Sequence, residues 1–200
     1  MIPLKHYLPC FFILLICTSL SCTNESAETQ YAAMEFTAET SYANNELIEL
    51  AESAAPIDIS GNATIIDMEG NLLREGTNRW TCIAMPGEPM CMDEPWMSWA
   101  ESYMNQDENV QVNRIGISYM LRGDQGTSNI RPYVEEPTPD NDWVITGPHL
   151  MLISPDPSLF EGLPTDPMAG GPYIMWAGTP FEHVMIPIYP ESVQMPYRQD

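Results

Sequence analysis

Ala63-Thr64-Ile65-Ile66-Asp67, the turn Met68-Glu69-Gly70-Asn71 and Leu72-Leu73-Arg74 are the stretch from which the fold class is read. Two short aliphatic runs on either side of a Gly-Asn turn have the pattern of paired strands. A second turn, Glu75-Gly76-Thr77-Asn78, leads into a third strand at Arg79-Trp80-Thr81-Cys82-Ile83. Further strands are expected at Arg114 to Leu121, Pro148 to Ile153, Tyr173 to Ala177 and His183 to Ile188. Between the third strand and Arg114, Asp93 or Glu94 before Pro95 marks a helix start, because proline at an early helical position lacks only an N–H that would be unpaired anyway. Trp96, Trp99, Ala100, Tyr103 and Met104 then recur at three- and four-residue spacing, a bulky stripe suited to covering the sheet. Upstream, Tyr31 to Ala55 sets Met34, Tyr42, Leu47, Ile48 and Leu50 among Ala and Glu with no Pro or Gly, which is helix composition. The expectation is an α+β domain: a mostly antiparallel sheet of about six strands with one or two packed helices.

Length and composition suit one core and show no internal break, so residues 31–200 are read as a single globular domain. Gly123 to Asn141 and Pro155 to Pro172 are longer than simple connections, and such segments are either functional or loosely ordered.

The chain start has the three parts of a secretory signal. Met1 to His6 carries Lys5, Tyr7 to Cys17 is almost wholly apolar, and Ser19-Leu20-Ser21 supplies small residues two apart. The apolar run is too short to span a bilayer. Cleavage is expected after Ser21, making residues 1–21 a signal peptide. Two enzymes could cut there: an ordinary signal peptidase, or the one that reads the lipobox of bacterial lipoproteins, which Leu20-Ser21-Cys22 resembles. On the second reading Cys22 is lipidated, residues 22–30 form a tether, and the protein is held at the bacterial membrane, in the periplasm or at the cell surface.

Cysteine usage fits that reading. Of five cysteines, Cys10 and Cys17 leave with the signal, Cys82 and Cys91 form a candidate disulfide, and Cys22 is the odd one left. The loop between Cys82 and Cys91 contains Pro86, Gly87 and Pro89, and a staple suits it in an oxidising compartment. A catalytic or metal-binding thiol pair is the alternative, without a Cys-x-x-Cys or a second pair to support it. After cleavage six arginines face 28 acidic residues, a net charge of −22. A field of that sign and size repels nucleic acid and anionic lipid head groups.

Methionine is the residue type that stands out. Two of the methionines sit in matching units, His149-Leu150-Met151 and His183-Val184-Met185. Strand side chains alternate, so each His shares a face with its Met. If the strands are neighbours, one face combines Met120, Met151, Met175 and Met185 with both histidines. The other face, which carries Val184, Ile186 and Ile188, is expected to be the main core. Thioether with imidazole is a soft ligand set suited to Cu(I), and His149, Met151, His183 and Met185 are the candidate copper ligands. The bland reading is a second layer of Met with two hydrogen-bonded core histidines. Met90-Cys91-Met92 with Met85 and Met97 is another soft cluster, and Gly123 to Asn129 is rich in oxygen ligands without the acid spacing of a calcium loop. For an enzyme, Glu182 and His183 would point to opposite faces, and no nucleophile, zinc, phosphate or dinucleotide motif occurs; Ser118 or Ser128 with a distant histidine base is the remaining hydrolase arrangement.

Gly76-Thr77-Asn78-x-Trp80-Thr81-Cys82, Ser118-Tyr119-Met120-Leu121-x-Gly123, Ser128-Asn129, Gly147-Pro148-His149-x-Met151 and Gly178-Thr179-Pro180-x-x-His183-x-Met185 together resemble a group of exported bacterial proteins with no assigned activity. The resemblance spans the last two thirds of the chain and implies export and a single domain. The functional expectation is a non-enzymatic, lipid-anchored binding module with copper as its ligand; an exported hydrolase and a purely structural envelope protein are the alternatives.

Overall fold

The structure, a computed structural model, describes residues 42–198. The signal segment, Cys22 and its tether, and the first part of the expected Tyr31 to Ala55 helix lie outside the described residues. Among the described residues no helix is long and apolar enough to cross a membrane.

A helix over 42–52 (α1) leads into the short helix Ile57–Ser60 (α2), then strands Thr64–Asp67 (β1) and Leu72–Arg74 (β2). The β1–β2 turn is shaped by Asp67, whose Oδ1 accepts the N–H groups of Glu69 and Asn71, and by Gly70 at φ +83°. Strands Thr81–Ala84 (β3) and Met90–Met92 (β4) follow, then helix Glu94–Met104 (α3) and strand Gly116–Met120 (β5). Thr127–Ser128 (β6) and Trp143–Val144 (β7) pair as a small separate sheet. His149–Ile153 (β8), Tyr173–Met175 (β9) and His183–Pro187 (β10) complete the main sheet.

The result is a mixed α/β fold with one large sheet of eight strands, in the order β2-β1-β3-β4-β5-β8-β10-β9. Every neighbouring pair is antiparallel except β1 and β3, which run parallel with Thr64 opposite Thr81 and Asp67 opposite Ala84. For that parallel return the connector after β2 must pass the start of β1 closely. Gly76 makes the passage: a Cβ there would fall 2.1 Å from the Thr64 nitrogen. Arg74 fastens the same corner, its Nη2 donating to the carbonyls of Ser60 at 2.7 Å and Ala63 at 3.2 Å while Nη1 pairs with Glu52 of α1.

The sheet is larger than the six or so strands expected, and β4 is the clearest addition. Met90-Cys91-Met92 looks like the end of a proline-rich loop, yet it is a full ladder partner of both β3 and β5. Cys82 and Cys91 stand directly opposite one another on β3 and β4 and are joined by a disulfide. The candidate staple therefore closes a hairpin.

Helix α3 begins as its sequence predicts. Asp93 is the N-cap: its Oδ1 accepts the Trp96 N–H at 3.0 Å. Its Oδ2 accepts the Ile117 N–H at 2.9 Å, so one carboxylate both caps the helix and ties it to β5. The long 155–172 segment is ordered by two Asp-Pro turns: Asp156 and Asp166 each cap a 3₁₀ turn, accepting from Ser158 and Met168.

The two sheet faces exchange the roles expected of them. The face under α3 is the main core, holding Met92, Met120, Met151, Met175 and Met185 with Trp96, Trp99, Trp176 and Phe181. Val184 and Ile186 belong instead to a small cluster with Phe160 and Ile174, and Ile188 lies past the strand end at 42% exposure. Near β1, β3 and β4 that second face is covered by α1, whose Ala51 packs in a cluster with Ile65, Cys82, Ala84 and Cys91. Unbranched, polarizable Met fills the irregular gaps beneath large indoles better than branched aliphatics do, which is the physical reason the Met face takes the helix.

Candidate functional site

The ladder registers decide which soft side chains meet. On the helix-covered face, Ser118, Met151, Met185 and Tyr173 form one continuous row across β5, β8, β10 and β9. Met92 of β4 opposes Ser118 and extends that row. One row further along, Met120 is opposite His149, and His149 is opposite Pro187. In the row on the other side His183 is opposite Met175. The two His-x-Met units thus lie antiparallel, with Met151 against Met185 in the middle and the histidines two rows apart. His149, Met151, His183 and Met185 share a face, as alternation requires, but they split into two environments.

His149 is fully buried, and its Nδ1 donates to the Gly147 carbonyl at 2.7 Å. A carbonyl only accepts, so the proton is on Nδ1 and the Nε2 lone pair faces the interior. That Nε2 is buried and has no hydrogen-bond partner. Met120 beside it, and Met151 and Met185 in the next row, are each at most 6% exposed. His183 is held in the same tautomer by Phe181, 2.9 Å from Nδ1 to the carbonyl oxygen. Its ring, however, is walled edge-on by three indoles, Trp176 at 5.0 Å, Trp99 at 5.5 Å and Trp96 at 5.8 Å between ring centroids. Burial pushes both imidazoles down to about 4, so both are neutral at pH 7.

The indoles around His183 belong to a longer aromatic stack. Trp99, Tyr103 and Trp176 lie parallel within 6° of each other, and Tyr133 stacks on Tyr103 at 4.8 Å towards the surface. Trp176 and Tyr133 both have left-handed backbones, at φ +55° and +63°, an unusual conformation for bulky residues. The Trp176 indole is fixed there by donating to the Ser128 carbonyl at 2.6 Å. The sequence reading runs a strand on to Ala177, whereas the chain turns at Trp176, with Gly178 at φ +75° and the Thr179 N–H donating to the Trp176 carbonyl at 3.0 Å.

A polar group missed in the sequence borders the Met rows. The Thr146 hydroxyl lies 3.2 Å from the Tyr173 hydroxyl, and the Thr146 N–H donates to Asp124 Oδ1 at 2.9 Å. Asp124 also accepts the Gly126 N–H, so its carboxylate organises the Gly123 to Asn129 turn. Burial raises its pKa to about 7, and burial likewise raises the Tyr173 phenol.

Among the described residues no group of three or more His, Cys, Asp or Glu stands ready for a metal, so any metal would have to be held mainly by thioethers. The hydroxyls of the two candidate serines go to main-chain carbonyls, Ser118 to Cys91 and Ser128 to Asn141. Glu182 turns away from the His183 side and accepts the Gly178 N–H at 2.6 Å.

No family model matches the chain, and neither a curated protein nor a solved structure is significantly similar to it. Function is therefore argued from its own residues.

Proposed function

We propose that this chain is an exported, lipid-anchored envelope protein that acts as a non-enzymatic binding module on an α+β scaffold, with Cu(I) as its ligand. The ligand set is His149 Nε2 with the thioethers of Met120, Met151 and Met185. The observation that carries the metal reading is the buried, unpartnered Nε2 of His149, on a residue directly opposite Met120 in the ladder with Met151 and Met185 in the adjacent row. Three further features support it. The imidazole is neutral at physiological pH, its Nδ1–H is fixed by a backbone carbonyl as in many metal-bound histidines, and the neighbouring donors are soft. His183 is assigned to the core, because its ring is enclosed by tryptophans.

The test is a Cu(I) titration of the full chain in detergent, in competition with a chromophoric chelator. One equivalent is expected to bind. His149→Ala and the volume-conserving Met120→Leu and Met151→Leu should each weaken binding at least about tenfold, a loss of about 1.4 kcal/mol, while His183→Ala binds within about threefold of the parent. The Met→Leu changes keep the packing, so their effect separates ligation from misfolding. Absence of binding, or tight binding that survives the His149 and Met changes, would refute the site. For the anchor, Cys22→Ser is expected to release the protein from membranes; a variant that stays membrane-bound would show that another device holds it.

A further inference from the structure

We propose that the aromatic stack is a path for one-electron oxidation, carrying an oxidising equivalent from the buried tryptophans of α3 to Tyr133 at the surface. Helix α3 lays Trp96, Trp99 and Tyr103 in order along one stripe. Ring centroids are 5.1 Å apart from Trp96 to Trp99, 5.7 Å from Trp99 to Tyr103 and 4.8 Å from Tyr103 to Tyr133. Trp176 joins the middle of the series, 6.1 Å from Trp99 and 5.3 Å from Tyr103 and nearly parallel to both. Every step is between rings in or near stacking contact, and over such gaps an electron tunnels before a radical meets anything in solution. Exposure rises along the series: Trp96 is 1% exposed, Trp99 7% and Tyr133 36%. The backbone points the same way. Trp176 and Tyr133 hold left-handed conformations that bulky residues reach only at a cost the surrounding structure must offset, and both are members of the stack.

Proton chemistry gives the path its direction. An oxidised indole turns into a milder, neutral radical only by losing its N–H proton to a base. The Trp99 Nε1 is buried with no hydrogen-bond partner, and the Trp176 N–H is given to the Ser128 carbonyl, too weak a base to take the proton. Radicals on these rings stay strongly oxidising cations. Tyr133 stands at the surface and releases its phenolic proton to water as it gives up an electron, so the oxidation settles there. Phe181, edge-on to Trp99, Tyr103 and Tyr133, is too hard to oxidise and only walls the path. The co-reactants are a small neutral one-electron oxidant, of which nitrogen dioxide is the type, and a thiol. The indole gives one electron to nitrogen dioxide, which leaves as nitrite; Tyr133 then refills the indole and gives its proton to water. The thiol returns a hydrogen atom to Tyr133 and leaves as a thiyl radical. A neutral oxidant is not held off by a net charge of −21. What the path spares is the core around it, where Met92, Met120, Met151, Met175 and Met185 are open to oxidation by a stranded radical. No metal takes part, so the path and the copper site stand or fall separately.

The test is flash photolysis of the metal-free full chain in detergent, in a Tyr119→Phe background that removes the phenol of the separate Trp80 and Tyr119 pair. A short ultraviolet flash ionises the tryptophans, and a cobalt(III) ammine traps the ejected electron irreversibly as it falls to cobalt(II). Phenoxyl absorption should rise as indole-radical absorption decays, at a rate independent of protein concentration. Adding Tyr133→Phe keeps the ring and its stacking and removes only the hydroxyl, so the fold is retained. That change should cut the phenoxyl yield by more than half. A spin trap present during the flash should mark Tyr133, read by peptide mass spectrometry. No phenoxyl signal, a rate that rises with protein concentration, a Tyr133→Phe protein with the parent's yield, or an adduct mainly on another residue would each overturn the path.

Discussion

Gly116 shows how closely the helix-covered face is filled. A Cβ at this position would lie 2.8 Å from Ile153 Cγ1 and 3.0 Å from Pro95 Cβ, and its φ needs no glycine. The residue is glycine because α3 begins directly over β5. Gly116→Ala is expected to destabilise the protein by about 1–3 kcal/mol through overpacking, read from the urea midpoint. A change under about 0.5 kcal/mol would mean that Pro95 and the α3 start can move aside. The histidines make a related point about legibility. Alternation within each His-x-Met unit is visible in sequence, because side-chain direction in a strand depends only on parity. The register between strands is not, and register puts Met120 beside His149 and leaves His183 among indoles. The orphan Nε2 depends on contacts between segments remote in sequence, which no local pattern carries.

Among the elements, the β3–β4 hairpin joins a legible feature to an illegible one. Two cysteines flanking a proline-rich loop, in a sequence that reads as exported, predict their own pairing. That Met90-Cys91-Met92 is also a strand does not follow locally, since three residues after a proline have no period to read; partners on both sides create it. Paired Cys82→Ser and Cys91→Ser changes open a ring of ten residues counting both cysteines. Chain entropy then predicts a loss of about 2–3 kcal/mol. Reduction of the parent protein should lower its stability by a similar amount and leave the double variant unaffected. If the double variant matches the oxidised parent, the ladders to β3 and β5 hold β4 without help. Helix α3 was legible down to its cap, because Asp93, Pro95 and the Trp stripe are local signals. Which face it covers was not, since both faces of β10 are apolar and only the bulk of the partner helix chooses between them.

At the scale of the whole molecule, three buried groups set how stability varies with acidity. The unfolded histidines titrate near 6.5 and the folded ones near 4, so between those values the unfolded chain binds two protons that the native state refuses. Their contribution is complete above pH 6.5 and is lost as pH falls towards 4. Asp124 works the other way: its folded pKa near 7 lies above the unfolded 3.8, so across the same window the native state holds one proton that the unfolded chain does not. Its contribution is lost as pH rises through 7. Asp67, Asp140 and Asp166 have lowered pKa values and act mainly on the acid side of this window. The balance is about one proton in favour of the unfolded chain, so the metal-free protein should lose about 1.4 kcal/mol of stability per pH unit between about 6 and 4.5. Urea denaturation of the EDTA-treated protein across that range measures the slope. Asp124→Asn removes the opposing titration and should roughly double it, whereas His183→Gln should bring it near zero. A slope that Asp124→Asn leaves unchanged would mean that water reaches the Asp124 carboxylate through the turn it organises, and that the two histidines alone govern the acid limb.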